Sequence, residues 1–131
     1  MAKDKWVEIL GWGKTEIDDL RFVAHSYIKQ GIYDIALTFF DAIQVLTTPT
    51  PYDLQTMGAL YLQLGNAEKS LHYFERALAI DPTHALTQLN RVKALFMLGQ
   101  EKEAFMLARE LEHSEAIEIA SQASALILSH R

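Results

Sequence analysis

Five histidines, His25, His72, His84, His113 and His130, are the side chains best suited to ligate a metal or move a proton near neutral pH. No two stand at the i, i+4 spacing that places two imidazoles on one helix face, and no H-E-x-x-H run occurs. Each reads as a surface or groove residue rather than a ligand. The chain has no cysteine, which removes thiolate nucleophiles, Cys-ligated zinc and disulfide frameworks, and fits a reducing compartment. Ser26, Ser70, Ser114, Ser121, Ser124 and Ser129 lie in no nucleophile motif. Gly11-Trp12-Gly13-Lys14 follows no predicted strand and lacks the spacing of a loop that cradles phosphate. The carboxylates are scattered over positions that read as exposed. No catalytic residue, metal site or cofactor site is expected, so the protein is expected to bind rather than to catalyse.

Composition narrows what it binds. The chain has 131 residues, half of them apolar and 22% charged, enough for the core of one domain. Twelve Lys and Arg against seventeen Asp and Glu leave a net charge of −5. Phosphate backbones require clustered cations, so a nucleic-acid partner is not expected. Apolar runs fall far short of the roughly 20 residues that cross a bilayer, so no membrane insertion is expected. Lys3, Asp4, Lys5 and Glu8 interrupt the N-terminus, which lacks the apolar region of a signal peptide. A cytoplasmic location follows as the expectation.

The elements that would position a binding surface show as an internal repeat. Gly31, Gly65 and Gly99 are 34 residues apart, each where an apolar helical pattern pauses. The same shift aligns Tyr27, Tyr61 and Leu95, the small residues Ala36, Ser70 and Ala104, and the columns Ala24, Gly58, Val92 and Phe40, Phe74, Ala108. A glycine between two helices can take positive φ and close a short turn, and small residues on facing helices let the backbones approach. The pattern predicts helices near 16–30, 33–46, 51–64, 67–80, 84–98 and 101–112, with a last one at about 114–130. Thr15-x-x-Asp18 is expected to cap the first helix, Thr50-Pro51-x-Asp53 the third and Asn66 the fourth.

These motifs resemble the tetratricopeptide repeat. The likeness is fullest over 51–84, where Leu54, Gly58, Tyr61, Gly65, Ser70, Phe74, Ala77 and Pro82 follow at the family's spacings. Repeat 17–50 keeps Leu20, Ala24, Tyr27, Gly31, Ala36 and Phe40, with its closing proline displaced to Pro49. Repeat 85–118 departs most, carrying Gln88 and Arg91 where apolar residues are expected. The resemblance implies an all-α fold: a single domain over 1–131, a right-handed helical solenoid of three helix–turn–helix repeats, an N-terminal helical arm at 1–15 and a C-terminal capping helix. Ser121, Gln122, Ser124 and Glu118 would give that helix its polar outer face. In the arm, Trp6, Ile9, Leu10 and Trp12 crowd together, either as a cap on the first repeat or as an arm that joins two copies into a homodimer.

In the resembled family the first helix of each repeat lines a concave groove. Carried over by position, that groove would be built from Arg21, His25 and Ile28, then Tyr52, Gln55, Ala59 and Leu62, then Leu86, Leu89, Lys93 and Phe96. For Leu89 and Phe96 the alternative is burial in the core. The two-carboxylate clamp of tetratricopeptide co-chaperones is not built: the matching positions are Arg21, His25, Thr56, Leu86 and Asn90, with Leu86 in place of a lysine. A short chain of three repeats flanked by two helices resembles the class II chaperones of bacterial type III secretion. That resemblance implies a non-enzymatic holder of an apolar, exported protein client, bound as an extended segment. The competing reading is an adaptor that assembles soluble proteins.

Overall fold

The computed structural model describes residues 8–131. One helical turn at 8–10 ends at Gly11, whose φ is +65° and whose N–H donates to the Glu8 carbonyl at 3.1 Å. The helices that follow are α1 (Lys14–Lys29), α2 (Tyr33–Leu46), α3 (Pro51–Gln63), α4 (Ala67–Ile80), α5 (Ala85–Met97), α6 (Glu101–Leu111) and α7 (Ile117–His130). The chain divides into two compact units, 1–53 and 54–131, the boundary falling after the first turn of α3.

The three predicted glycines close three turns in the same way. Gly31, Gly65 and Gly99 have φ of +76°, +81° and +77°. Each donates its N–H three residues back, to Ile28, Leu62 and Phe96 at 2.9, 3.1 and 3.1 Å. The next N–H reaches five residues back, from Ile32 to Tyr27 (2.9 Å), Asn66 to Tyr61 (2.8 Å) and Gln100 to Leu95 (3.0 Å). This pair of bonds satisfies carbonyls that a helix end leaves orphaned, and it needs a left-handed residue where it turns. Ile32, Asn66 and Gln100 then serve as the N-caps of α2, α4 and α6.

Helix starts match expectation at two places and depart at two. The Thr50 hydroxyl accepts from the Asp53 N–H (3.1 Å), and Asp53 Oδ2 accepts from the Thr50 N–H (3.0 Å), a reciprocal cap with Pro51 at the first helical position. Asn66 Oδ1 accepts from the Lys69 N–H at 3.2 Å. Thr15 does not cap α1, however. The helix begins at Lys14, and Glu16 Oε2 takes the Gly13 N–H at 2.8 Å, so Thr15 already lies inside the first turn. The last helix starts at Ile117 rather than about 114, because the Ser114 hydroxyl accepts from the Ala116 N–H (3.2 Å) and holds 114–116 in a separate turn.

Unit 1 packs α1 on α2 over Ile17, Ala24, Leu37, Phe40 and Ile43. In unit 2, α5 contacts α4, α6 and α7. Its core joins Leu89, Val92 and Leu95 of α5 to Ala104, Ala108 and Leu111 of α6 and to Ile119, Ala123 and Ile127 of α7. The 34-residue columns meet across the helix pairs. Gly58 lies so close to Phe74 that a Cβ on it would sit 2.5 Å from the ring. Nearby, the Ser70 hydroxyl donates to the Gly58 carbonyl at 2.7 Å, satisfying a fully buried polar group. In the third repeat the sizes reverse: Val92 stands in the glycine column and Ala108 in the phenylalanine column, both fully buried. The capping helix buries Ile119, Ala123 and Ile127, but its exposed surface is not wholly polar, since Ile117 and Leu128 are exposed there.

Phe74→Ala is expected to cost about 3–5 kcal/mol, a buried ring lost with its cavity left behind. Gly58→Ala is expected to cost about 1–3 kcal/mol, because the ring has no free space into which to retreat. Urea denaturation of the two variants checks both, and a Gly58→Ala protein as stable as the parent would show that this column does not set the approach of α3 and α4.

Candidate functional site

The positions expected to line a groove fall into two sets, one in each unit. In unit 1, Arg21 projects from α1 onto Asp53, which α3 buries at 1% exposure. Arg21 Nε donates to Asp53 Oδ1 (2.9 Å) and Nη2 to Asp53 Oδ2 (2.8 Å), a bidentate pair, while Nη1 donates to Asp18 Oδ1 (3.0 Å). These bonds, Asp53 first, hold the Arg21 pKa above its ordinary value. All three guanidinium nitrogens are thus engaged within the chain, and Arg21 presents no free fork to a partner. Sequence reasoning identified Asp53 as a cap but did not pair it with Arg21, 32 positions away.

One turn further along α1, His25 is hydrogen-bonded to the Tyr52 hydroxyl and meets the edge of Phe40 at 6.0 Å between ring centres. Burial pushes the His25 pKa below its usual value, and Lys29 adds to that against the opposing pull of Asp53. Ile28 is half-buried, whereas Tyr52 is exposed. Of the arm residues, Ile9 and Leu10 are exposed, Trp12 is half-buried, and Trp6 lies outside the described residues.

In unit 2, Leu62, Lys93 and Phe96 come together around one cavity of about 310 Å³. Gln63, Met97, Leu126 and His130 complete its walls. Phe96 is 7% exposed and belongs to the α5–α6–α7 core, the alternative expected for it, while one wall of the cavity rests on it; it is held between two rings, stacked on His130 (centroids 3.9 Å, 13° between planes) and edge-on to Phe105 (5.0 Å). Gln55 and Ala59 are half-buried and Leu86 is exposed. Leu89 is a correction: it is fully buried in the α5–α6–α7 core, so it has no surface to offer a ligand. Leu126 and His130 were not among the positions carried over to the groove, although His130 reads as a surface or groove residue. They stand 34 residues after Val92 and Phe96, so extending the repeat register into the capping helix would have found them. Among the described residues no group of three or more His, Cys, Asp or Glu is placed to hold a metal, and no helix is long and apolar enough to cross a membrane.

Comparison with known proteins agrees with this architecture. Residues 51–84 match the tetratricopeptide repeat family model. The fold is the tetratricopeptide helical solenoid and is shared with solved chaperones. The Yersinia enterocolitica type III secretion translocator chaperone SycD superposes with a TM-score of 0.76 at 19% identity, over 94% of this chain and 96% of that one. Pseudomonas aeruginosa PcrH, in complex with the chaperone binding region of PopD, gives 0.77 at 21% identity, over 92% and 94%. The Sgt2 tetratricopeptide domain of Aspergillus fumigatus gives 0.71 at 18%, over 84% and 76%. No curated protein sequence matches the chain.

Two outcomes are expected in unit 1. Arg21→Ala strands a buried carboxylate and should cost about 3 kcal/mol, read from the urea midpoint. The His25 pKa lies below 6.5 in the fold, so the unfolded chain takes up the proton first as pH falls. The stability this residue contributes is full above 6.5 and is lost as pH drops through the lower, folded value. His25→Gln should therefore flatten the decline in stability between pH 7.5 and 5.5, as followed by denaturation at each pH.

Proposed function

We propose that the protein is a non-enzymatic chaperone that holds an apolar segment of an exported client in extended form. The observation that carries this reading is the match, over nearly the whole of both chains, to translocator chaperones. PcrH has been solved with the chaperone binding regions of PopB and PopD, and SycD with a peptide of the translocator YopD. The cavity in unit 2 supports it, with Leu62, Met97 and Leu126 offering apolar surface beside the nearly buried Phe96 ring and the aliphatic stem of Lys93. A client side chain seated there would gain about 25 cal/mol per Å² of apolar area removed from water, less the cost of ordering the segment. In unit 1, Tyr52 and Ile28 provide further contact surface and Arg21 does not, since its charge is spent on Asp53. Holding a client in this way needs no nucleotide, and the work is done in the cytoplasm before export. The exposure of Ile9 and Leu10 supports reading the arm as the contact that pairs two copies.

The adaptor reading draws on the Sgt2 likeness, which shows that the same fold serves other proteins. The two readings separate in a pull-down from the native cytoplasm with the purified chain, analysed by mass spectrometry. One apolar exported protein recovered near stoichiometry establishes the chaperone; a set of soluble complex subunits establishes the adaptor. Leu62→Asp should leave the helical circular dichroism intact and lower client retention by roughly tenfold or more, as loss of a central apolar anchor does. Undiminished retention would exclude the Leu62 cavity as the seat of the client.

A further inference from the structure

The third repeat departs from its neighbours at Gln88 and Arg91, where the middle repeat has Leu54 and Met57, both deep in the core. The structure brings the two departures to one place. Gln88 and Arg91 of α5 line a cavity of about 230 Å³ with Thr83, Glu110, His113 and Ser114. Arg91 Nε is buried there and has no hydrogen-bond partner. No ion pair joins Arg91 to Glu110 across the cavity, and among the described residues no other carboxylate lies within ion-pairing reach of it. Arg91 as a whole is half-buried, but leaving its Nε–H buried without a partner is costly, and a chain that needed only packing here would carry the neighbouring repeat's methionine.

From this we infer that the cavity between α5 and the end of α6 is a binding site for a carboxylate, separate from the surface proposed to hold the client. A carboxylate is planar and bidentate, as a guanidinium is, and it brings the single negative charge that one arginine balances. Glu110 on the same wall repels any anion, and a phosphate dianion about twice as strongly as a carboxylate, so phosphate fits less well. The remaining donors suit the same ligand. Ser114 Oγ accepts from the Ala116 N–H and keeps its own proton to donate, and Thr83 adds a second hydroxyl. Gln88 Nε2 donates to the Pro82 carbonyl at 2.8 Å, which fixes the loop before α5 as one wall of the cavity. The carboxylate can come from a free organic acid or from an acidic residue of a peptide chain.

The arginine Nε–Hε signals of the 131-residue chain in a ¹⁵N NMR spectrum test this. Sodium acetate, an acetylated and amidated Ala-Asp-Ala peptide, and inorganic phosphate are titrated at constant ionic strength and pH. The expected result is a saturable shift of Arg91 with acetate and with the peptide, and with phosphate only at roughly tenfold higher concentration. Saturation by the peptide at roughly a tenth of the acetate concentration assigns the ligand to a protein chain, and equal concentrations assign it to a free acid. Arg91→Met should abolish the binding and melt at or above the parent temperature, since it replaces an unpartnered buried N–H with the apolar side chain of the neighbouring repeat. A drift that does not saturate and is shared by Arg21, Arg76 and Arg109 would overturn the inference. So would phosphate binding as tightly as acetate, or an Arg91→Met protein that melts lower, which would show the guanidinium to be satisfied within the fold.

Discussion

Everything in this fold hangs on a backbone constraint met three times: a helix must stop and reverse in two residues without leaving its last carbonyls bare. At Gly31, Gly65 and Gly99 the chain passes through positive φ, and the glycine N–H and the one after it fold back onto the helix just ended. A side chain at that φ would cost conformational energy at each turn. Because the residue after each glycine caps the next helix, the turn also fixes where that helix begins. The phase of every side chain that follows is therefore set by the glycine, and identical spacing of the glycines gives identical phase.

Phase makes side-chain size matter. With the helices of a pair in register, residue 58 must face residue 74 and residue 92 must fall in the same column one repeat later. The close approach at Gly58 admits the whole Phe74 ring, and the third repeat fills its layer with the sizes reversed, Val92 and Ala108. A pattern search that scores each column alone reads the third repeat as degenerate. Taken as pairs, its columns conserve the space to be filled, and this is why the weakest repeat in sequence still builds a closed core with α7.

The spacing of glycines and apolar residues is local information, so helix positions, turns and two of the caps were legible in the sequence. What the polar side chains do was much less so. Arg21 reads as a groove cation from its place in the repeat, but its partner lies 32 positions away, and only the fold shows that Asp53 consumes it. Leu89 reads as groove lining by the same rule and is core, because α5 packs against α4, α6 and α7 and the cluster they form encloses it. His130 and Leu126 reach the cavity for the same reason: the capping helix carries the repeat's register without its motif residues, and motif matching ends where the motif does.

The disposition of charge favours one mode of recognition. The groove cation of unit 1 is neutralised by a buried carboxylate, and burial keeps the neighbouring histidine toward its neutral form. A surface built this way gives little Coulombic attraction to an acidic peptide. What remains at the unit 2 cavity is apolar lining with a lysine and a histidine at its edges, where affinity grows with the apolar area a partner buries. Such a site tolerates many sequences of similar hydrophobicity, because non-directional burial discriminates between side chains by only a few kcal/mol. Segments that are unsafe to leave in water are defined by that hydrophobicity rather than by a charge pattern. If the unit 2 cavity is the seat of a partner, as proposed, its apolar lining is therefore better matched to keeping such segments apart than to reading a charged tail.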